Sequence, residues 1–585
     1  MEILNEKRIN FIAALLLLLM FTLAVFSMKD DSLTMDELAH LPAGYSYLTQ
    51  RDMRLNPEHP PLIKDLAAFP LLLIKDIKFP KDIDAWKKDV NGQWVFGNNF
   101  LFHQNNPTLK MIFLARLPMI LLLILLGFFI FKAAKEIWGP KTALLSLFFF
   151  AFSPTFLAHG RLVTTDVAAA FAFFIGIYFF IRALKRPLTK NIIFSGLAFG
   201  IAQLLKFSLI LLVPFLIFIA ICWWLIKKEK FFIVLKIVFL TFFIGYLLIW
   251  PVYFYHTLNY PSQKQAQDAL FLLSSFPIKK AGPIVAQMAE NPILKPYGQY
   301  LLGLLMVLER ASGGHTTYFM GEVGAAGWKS YFPTVYLLKE PLSFHLLTLI
   351  ALFFGLSQIF RKFSLGDIFS RLKEWLKNNF ETASMIFFVI LYWLSSLTSN
   401  LNIGVRHLLP VFPFTMLLVS RQIIKILEIK KWQRISLFLL FFLLSWQAIS
   451  VLKIYPHFLA YFNELAGGPD KGYLYTVDSN LDWGQDLKRL NDWLLKNKIP
   501  KIYLDYFGGS DASYYLGEKF EPWWGTRNPS ELPKGSYLAV SATFLQGGRG
   551  RPIPGFDQPT GYYRWLDEYQ PLAKIGYSIF VYHIE

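Results

Sequence analysis

A cluster of ionisable side chains follows directly on the first long apolar run of the chain. The run ends near Met28, and residues 35–66 read MDELAHLPAGYSYLTQRDMRLNPEHPPLIKDL. If this segment begins as a helix, Asp36 and His40 share one face, because residues four apart lie one above the other. Ionisable groups beside a bilayer are costly and indicate function, here proton transfer and anion binding. The cluster comprises Asp36, Glu37, His40, Glu58, His59 and Lys64.

Further charged residues stand where later apolar runs begin. Asp166 opens a run in RLVTTDVAAAF, after Arg161, and Arg116 enters a run in LARLPMI. Arg406 and His407 open a third run in NIGVRHLLP. If the amino terminus lies inside, these groups lie at the same level as the first cluster. Carboxylates and cations from separate helices then converge, and that mixture suits a site that binds an acidic lipid headgroup and activates a nucleophile.

Simpler structural roles stay open for several of these residues. Asp166 precedes an apolar run and is a good helix N-cap, which does not exclude catalysis. The side chains of Arg116 and Lys206 could extend to lipid headgroups with no further role. His59 in EHPP could fix a turn before the next helix. Asp36 is the hardest to explain structurally, because a second carboxylate lies beside it at the membrane surface.

The composition places the chain in a membrane. Of its 585 residues 55% are hydrophobic and only 17% are charged, and the mean hydropathy is +0.41. Soluble globular domains are usually less apolar. The net charge of +18 does not indicate nucleic-acid binding, because the lysines and arginines fall in short clusters between apolar runs, such as the one at 361–377. The single cysteine, Cys222, excludes an intramolecular disulfide.

A crossing helix needs about twenty apolar residues, and the sequence predicts about eleven such spans. With the amino terminus inside, every basic cluster falls on the cytoplasmic side, and the odd number of crossings puts the carboxyl terminus outside. The first span is kept as an anchor, since AVFSM is a poor cleavage site. The predicted spans are 9–28, 111–134, 142–158, 164–183, 191–205, 207–226, 231–250, 335–359, 380–398, 406–426 and 435–453.

The stretch 191–226 is predicted to cross out and back, because basic clusters flank it on both sides and Lys206 lies alone near its middle. The outgoing helix is roughly 22 Å long at about 1.5 Å per residue, whereas the hydrocarbon core is about 30 Å thick. We therefore expect Lys206 to lie recessed on the outer side, in a protein-lined cavity that opens to lipid.

Residues 1–453 are predicted to form a transmembrane unit with outer loops at 29–110 and 251–334, and residues 454–585 an extracytoplasmic tail. In the tail, DLKRLNDWLLKNK predicts an amphipathic helix, and KIYLDYF, SYLAVSAT and YSIFVYHI predict strands. The expected fold is a multi-pass α-helical membrane protein with a C-terminal α/β domain. In the first loop, LIKDLAAFPLLLI is too short to span and suits the membrane interface.

Two sets of side chains raise the question of a metal. In DSNLDWGQD the oxygen ligands are spaced as in a calcium loop, but Gly484 comes one position late and no glutamate ends the loop. We expect a structural loop that caps the helix from Asp486. A divalent cation is the open alternative at the other set, which comprises Asp36, Glu37, His40 and Asp166.

The chain carries seven motifs in order: MDELAHLPAGYSYL, NPEHPPLIK, LVTTDVAAAF, LLKFS, GWKSYFPTVYLLKEPL, NIGVRHLLPVFPF and AYFNELAGGPDKGY with DSNLDWGQDL. Together they resemble the bacterial branch of the protein O-mannosyltransferase-like glycosyltransferases, within the GT-C superfamily. The resemblance runs from the first span to the end of the tail, and it is specific for the superfamily rather than for the acceptor. The eukaryotic members carry an extra domain in the central loop, for which residues 251–334 are too few.

The resemblance implies an inverting transferase at the outer face of the cell membrane, with no required metal or cofactor. It would move a mannose-like hexose from a polyprenyl-phosphate donor to a hydroxyl of a protein, lipid or glycan acceptor. An acidic pair in the first outer loop is the implied catalytic centre, and in this chain that pair is Asp36 and Glu37. Such a donor already has a good leaving group, so the enzyme must deprotonate the acceptor and stabilise the departing phosphate.

We therefore predict that Asp36 is the general base, which contributes about a hundredfold to ten-thousandfold in rate. Glu37 or His40 would orient it, and Asp166 completes the catalytic set. The donor phosphate would be bound by Arg116, Lys206 and Arg406. Supporting roles fall to His40, His59, Lys64, Arg161 and His407.

A polytopic transporter or flippase of lipid-linked sugars is the alternative function. It too would place charged residues in the membrane. Transporters, however, tend to show repeated halves and broken helices at the midplane. In this chain the charges gather at one face, and a folded tail follows on the same side.

Overall fold

The computed structural model describes residues 6–360 and 368–585. The first residues of the basic cluster predicted at 361–377 lie outside the described residues. Helices joined by short turns make up most of the chain up to Lys453. These helices are α1 (Glu6–Ser27), α2 (Met35–Gln50), α3 (Leu62–Ala68), α4 (Asp84–Lys87), α5 (Gln93–Phe102), α6 (Thr108–Trp138), α7 (Pro140–Ala151), α8 (Pro154–His159), α9 (Asp166–Lys185), α10 (Thr189–Leu205), α11 (Leu212–Lys227), α12 (Phe231–Thr257), α13 (Ser262–Leu272), α14 (Ala281–Glu290), α15 (Lys295–Gly313), α16 (Tyr331–Lys339), α17 (Leu342–Phe360), α18 (Ile368–Asn378), α19 (Phe380–Leu397), α20 (Phe412–Leu427) and α21 (Gln433–Lys453).

Eight helical segments of the described residues are long and apolar enough to cross a membrane, and a ninth arises if one bent pair counts as a single span. The chain is thus a multi-pass helical membrane protein, but the predicted count of about eleven spans is not confirmed. The eight are Glu6–Ser27, Thr108–Trp138, Asp166–Lys185, Phe207–Lys227, Phe231–Thr257, Phe380–Leu397, Val405–Leu427 and Lys430–Lys453, and the bent pair joins Tyr331–Lys339 to Leu342–Gln358.

Two predicted spans are interrupted. The span predicted at 142–158 is the 12-residue α7, after which Ser153 caps the separate helix α8. The span predicted at 335–359 bends by 113° at Glu340. Pro341 disfavours a helical conformation of the residue before it, and Glu340 is accordingly extended, with φ −107° and ψ 153°.

The predicted break at Lys206 is confirmed. α10 has only 17 residues and ends at Leu205, Lys206 is extended, and a 3₁₀ turn over Phe207–Leu211 leads into α11. α10 is thus about 26 Å long at about 1.5 Å per residue, shorter than a hydrocarbon core. Lys206 therefore stands at the end of a helix that is too short to cross a hydrocarbon core by itself.

The first outer segment folds back onto the helical bundle. α2 begins where the Glu37 carboxylate accepts a hydrogen bond from the backbone N–H of Thr34 at 2.9 Å, one half of a capping box. α2 then packs against α3 at Gly44, where a Cβ would collide with the carbonyl group of Lys64. This close approach fixes α2, and with it the acidic residues of its first turn.

The segment LIKDLAAFPLLLI forms α3 and a 3₁₀ turn over Phe69–Leu73. Ile63, Ala67 and Leu71 are buried, whereas Phe69 and Leu73 are exposed. A short amphipathic segment with exposed apolar side chains fits the interfacial position that the sequence predicts.

Residues 487–583 contain a five-stranded mixed sheet with the strand order β4-β3-β5-β8-β7. β3 pairs in parallel with β4 and β5, and β8 pairs antiparallel with β5 and β7. Leu487, Leu490 and Leu494 of the amphipathic helix pack on one face of the sheet. The elements are α22 (Leu487–Lys496), β3 (Ile502–Asp505), α23 (Ala512–Leu516), β4 (Phe520–Pro522), β5 (Tyr537–Ser541), α24 (Ala542–Arg549), β7 (Ala573–Ile575) and β8 (Ile579–His583).

A second, three-stranded sheet ties the tail to the large outer loop. β1 (Thr317–Phe319) and β2 (Glu322–Gly324) form a hairpin within the loop, and β6 (Arg551–Pro552) of the tail pairs in parallel with β2. The predicted boundary between these two parts of the chain is therefore crossed by a shared sheet.

Candidate active site

Two carboxylates and two cations meet at one end of the helical bundle. The guanidinium Nη1 of Arg406 donates to Asp36 Oδ2 at 2.8 Å and to Asp166 Oδ2 at 3.1 Å. The second oxygen of Asp166 accepts a hydrogen bond from Lys206 Nζ at 2.6 Å. The four side chains come from α2, from the first turn of α9, from the end of α10, and from the 3₁₀ helix Val405–Val411 before α20.

The four side chains differ in exposure. The Asp166 side chain is 1% exposed, whereas those of Asp36 and Lys206 are 27% and 18% exposed. Asp36 and Lys206 thus face the open side of the cluster, and Asp166 lies behind them. Four of the residues that the sequence predicts for one site lie together.

A loop of the tail holds Arg406 in place. Arg406 Nε donates to Ser479 Oγ at 3.1 Å, and its guanidinium lies 4.3 Å from the centroid of the Trp483 ring. The backbone N–H of Val405 donates to Asn480 Oδ1 at 2.8 Å. The loop, DSNLDW over 478–483, is therefore part of the wall of the site, a role that the sequence analysis missed.

The carboxylate of Asp478 also lies near this cluster. Its backbone is in the left-handed region, with φ +55°, and its Oδ1 accepts the N–H of Ser479. Burial raises the pKa of Asp478 to about 6, although the Arg406 charge opposes that rise and the Asp36 charge adds to it. Among the carboxylates of the calcium-like motif, Asp478 is thus the one whose pKa is influenced by Arg406 and Asp36.

Glu37 is not presented to the open side of the cluster. It is fully buried, and Arg116 donates to it twice, from Nε at 2.8 Å and from Nη2 at 2.6 Å. The N–H groups of Thr34 and Val163 bind the same carboxylate at 2.9 and 3.0 Å. Burial acts to raise the pKa of Glu37, but the Arg116 charge and the hydrogen bonds from Arg116, Thr34 and Val163 together outweigh it, and the pKa is lowered. The acidic pair is therefore divided between an open Asp36 and an enclosed Glu37.

Arg116 and Arg161, which the sequence predicts for phosphate binding and support, are both buried. The remaining Arg116 contacts are with the backbone carbonyls of Asp31 and Ser32. Arg161 pairs with Asp31 at 2.8 Å, and Arg489 of the tail pairs with the other Asp31 oxygen at 2.7 Å. These arginines join the first outer segment to α6, to the turn between α8 and α9, and to the tail, and their charges are neutralised away from the open side.

His40, His59 and Lys64 form a group beside Asp36. His40 donates from Nδ1 to the Val163 carbonyl at 2.9 Å, and the His40 and His59 rings meet edge to face at 5.0 Å. Burial lowers the pKa of His40, although the Asp36 charge acts to raise it. Burial also lowers the pKa of His59 well below its ordinary value, and nearby cations add to the effect. Both shifts favour the neutral form of the imidazole.

Lys64 supports the loop that carries His59. The Lys64 ammonium is fully buried and donates to Tyr47 Oη, to the Asn56 carbonyl and side-chain oxygens at 2.8 Å, and to the His59 carbonyl at 2.7 Å. Burial lowers its pKa to about 7, despite the charges of Glu58 and Asp65. Lys64 thus positions this loop and does not reach the open side.

Two residues near the cluster were not anticipated. Arg310 is exposed at the end of α15, and its charge acts on both His59 and His315. His315 follows on a Gly-Gly turn, and burial and the Arg310 and Arg406 charges lower its pKa, whereas the Asp36 charge acts to raise it. In sequence, LERASGGHTT indicates only an exposed helix end, so the influence of Arg310 on His59 and His315 is visible only in the tertiary structure.

Metal ligands are not brought together. Within residues 6–360 and 368–585, no group of three or more His, Cys, Asp or Glu side chains could hold a metal ion. Of the predicted set, Glu37 is enclosed by Arg116, and His40 is bonded to a carbonyl. In the calcium-like motif, Asp482 Oδ2 accepts the N–H of Thr543 at 2.8 Å.

The predicted cap at Asp486 is wrong in detail. Asp486 stands at the N-cap position of α22, but its side chain makes no capping hydrogen bond. Its oxygens accept hydrogen bonds from Arg489, Ser578 and Gln485 instead, at 2.5, 2.7 and 2.9 Å. Within the tail, the motif contacts the segment before β8 through Ser578, and it also contacts Arg406. Both Asp486 oxygens are occupied by these side-chain hydrogen bonds, so neither caps the end of α22.

Residues 109–250 match the family model described as dolichyl-phosphate-mannose-protein mannosyltransferase. The matched segment is less than half of the chain, and it contains Arg116, Arg161, Asp166 and Lys206. The match confirms the resemblance to GT-C glycosyltransferases that the sequence motifs predict. No curated protein sequence matches the chain.

Three solved structures are similar to the chain at low identity. The archaeal oligosaccharyltransferase AglB from Archaeoglobus fulgidus, in complex with an inhibitory peptide and a dolichol-phosphate, is 10% identical, with 91% of this chain and 69% of that chain covered and a TM-score of 0.48. ArnT from Cupriavidus metallidurans in the apo state is 11% identical over 98% of this chain and 97% of that chain, with a TM-score of 0.34. The protein O-mannosyltransferase Pmt1-Pmt2 complex of S. cerevisiae, bound to the sugar donor, is 17% identical over 44% of this chain and 34% of that chain, with a TM-score of 0.33.

Proposed function

We propose that this chain is an inverting glycosyltransferase that moves a mannose-like hexose from a polyprenyl-phosphate donor to an acceptor hydroxyl, with Asp36 as the general base. The proposal rests on the hydrogen bonding and the exposure of the Asp36 carboxylate. Oδ2 accepts a hydrogen bond from Arg406, whereas Oδ1 accepts none from any residue in the described ranges. A partly exposed carboxylate that is held by one oxygen and open at the other is suited to take a proton.

In the proposed reaction, the acceptor oxygen attacks the anomeric carbon from the side opposite the phosphate. Its proton passes to Asp36 Oδ1 as the new carbon–oxygen bond forms. The bond between the sugar and the phosphate oxygen breaks, and its electron pair leaves with the polyprenyl phosphate. The configuration at the anomeric carbon is inverted, and Asp36 then returns the proton to solvent.

Lys206 is our first candidate for the departing phosphate. Its ammonium is partly exposed, stands at the break after α10, and is linked to the Asp36 carboxylate through Asp166 and Arg406. Arg310, an exposed cation, and His407, a partly exposed hydrogen-bond donor, are proposed to assist it. Cations placed where negative charge develops stabilise the transition state.

Arg406, Asp166 and Glu37 are proposed as positioning residues. Arg406 spans Asp36 and Asp166 and is packed on Trp483, so its donors orient the base. Asp166 holds Arg406 and Lys206 from the buried side. Glu37 and Arg116 fix the start of α2 and thereby the direction of Asp36. Arg116 is therefore removed from our phosphate candidates, because its hydrogen bonds to Glu37, Asp31 and Ser32 occupy its donors.

The proposed site lies on the extracytoplasmic side of the cell membrane. The support is the distribution of basic clusters, which places the opposite end of the bundle in the cytoplasm under the positive-inside rule. Nucleotide sugars are absent from that outer compartment, which is why we propose a lipid-linked donor.

The test uses membranes with wild type or Asp36→Asn, supplied with a labelled polyprenyl-phosphate hexose. The label is followed into protein, lipid and glycan fractions, which identifies the acceptor class at the same time. We expect transfer by the wild type and a loss of about a hundredfold or more in the variant. The matched control is Asp89→Asn, an exposed carboxylate of the same outer segment, which should transfer at the wild-type rate.

Transfer by Asp36→Asn at the wild-type rate would remove Asp36 as the base. If no donor is consumed across several sugars and acceptor extracts, while labelled lipid changes leaflet in sealed vesicles, the protein is a flippase and not a transferase.

A further inference from the structure

A large cavity lies at the end of the bundle opposite the candidate active site. It has a volume of about 740 Å³ and lies between the ends of α6, α9, α19 and α20. α9 links the two places, because Asp166 at its start belongs to the candidate site and Lys185 at its end lines the cavity. Nineteen steps of about 1.5 Å separate them by about 28 Å. This distal cavity is therefore a separate site near the other membrane face.

The mouth of the distal cavity carries more cations than anions. Lys185 is paired with Glu381, and Arg182 lies 3.8 Å from Glu136. The other two cations, Arg186 and Arg421, form neither an ion pair nor a side-chain hydrogen bond within residues 6–360 and 368–585. Two guanidinium groups thus line one cavity without a counter-ion.

The depth of the cavity is apolar. Phe174 and Ile181 of α9, Met385 of α19 and Phe414 of α20 line its walls. From Arg186 to Phe174 the wall extends about 18 Å along α9, at about 1.5 Å per residue, which is over half of a hydrocarbon core. A cavity with cations at its opening and apolar side chains along its depth is suited to bind an amphiphile rather than a free ion. The volume lies within the range of about 300–1,000 Å³ that is typical of ligand sites.

We propose that the distal cavity binds an anionic membrane lipid, with the lipid phosphate between Arg186 and Arg421 and a hydrocarbon chain along the apolar wall. Guanidinium groups match the oxygens of phosphate in a forked geometry. Basic pockets between transmembrane helices are places where anionic lipid headgroups bind. The inference does not depend on the reaction catalysed at the other end of the bundle.

The experiment measures lipid binding to the purified full-length chain in detergent by native mass spectrometry. The probes are phosphatidylglycerol, phosphatidylcholine and soluble glycerol phosphate. We expect the wild type to bind phosphatidylglycerol in preference to phosphatidylcholine, and Arg186→Gln with Arg421→Gln to lower that binding about tenfold or more. The matched control is Arg434→Gln, which removes an exposed cation outside the cavity and should bind as the wild type does.

A second design protects the test against poor folding of the double variant. Thr382→Glu places a negative charge at the cavity mouth without removing an arginine, and it should also weaken phosphatidylglycerol binding. Arg421→Lys should bind less well than the wild type and better than Arg421→Gln, since the charge remains and the fork is lost. Equal binding of the two lipids, unchanged binding by both designs, or full competition by millimolar glycerol phosphate would overturn the proposal, the last by showing a site for a free anion.

Discussion

Lys206 Nζ lies 2.6 Å from Asp166 Oδ1, so the cation at the end of α10 neutralises the carboxylate that begins α9. The other Asp166 oxygen accepts a hydrogen bond from Arg406. One buried carboxylate thus keeps two cations beside Asp36, and the geometry of the open side depends on a group that is itself 1% exposed.

Asp166→Asn should impair both binding and turnover. An amide can accept from only one of the two cations through its oxygen, so Lys206 or Arg406 loses its anchor. We expect KM for the donor to rise and kcat to fall together, with kcat/KM down about a hundredfold. Asp36→Asn, by contrast, should lower kcat with little change in KM. Initial-rate kinetics on the two variants separate these patterns, and an unchanged KM in Asp166→Asn would contradict the positioning role.

Glu37→Gln should lower the stability of the fold and should not act directly on kcat. Removing one partner of a buried pair leaves the Arg116 charge uncompensated, which typically costs about 3–5 kcal/mol. We expect a clear fall in the thermal unfolding midpoint in detergent, whereas Asp36→Asn should unfold near the wild-type temperature. A Glu37→Gln protein that unfolds like the wild type but has lost kcat would show that Glu37 is catalytic after all.

Lys64 should make the stability depend on pH. Burial lowers its pKa from about 10.4 in the unfolded chain to about 7 in the folded chain. Between these values the unfolded state binds more protons, so stability rises with pH from about 7 to about 10, by up to about 1.4 kcal/mol per pH unit. Lys64→Met should flatten the rise of the unfolding midpoint over that window. The exposed Lys75→Met serves as control, and an identical slope in both variants would contradict the assignment.

The loop at 478–483 should influence turnover although it belongs to the tail. Trp483→Leu removes the aromatic face under the Arg406 guanidinium, a contact of about 1–2 kcal/mol in a desolvated setting. We expect kcat to fall about tenfold, with Trp483→Phe retaining more activity than Trp483→Leu. Trp524→Leu, which changes an exposed tryptophan of the tail, should leave kcat unchanged. Equal rates for the two Trp483 variants would mean that the stacked ring does not orient Arg406.

Much of the site could be predicted because charged residues next to apolar runs are conspicuous. Asp36, Asp166, Lys206 and Arg406 each stand at a helix end, and the common level of those ends follows from topology. The different environments of Asp36 and Glu37 could not be predicted from the sequence. Asp36 and Glu37 are neighbours in sequence, but successive helical residues point about 100° apart, so one faces the open side and the other Arg116.

The spans were predicted less well where the helices break. Apolar composition is the same on both sides of Ser153 and of Glu340, so hydropathy alone merges two helices into one. The Pro154 and Pro341 that follow these residues were the available signal. Contacts between distant segments left no local trace, and this is why Arg310, His315 and the loop at 478–483 were missed.

The tail is joined to the outer loop by a shared sheet, and its Ser479 and Trp483 contact Arg406. These contacts limit how such a protein can change in evolution. The tail cannot be exchanged as a module, because its replacement would also have to supply the contacts that hold Arg406. Substitutions near Arg406 and substitutions in the loop at 478–483 should therefore be tolerated in matched pairs, so that sequence diversity should accumulate on the parts of the tail that lie beyond this loop.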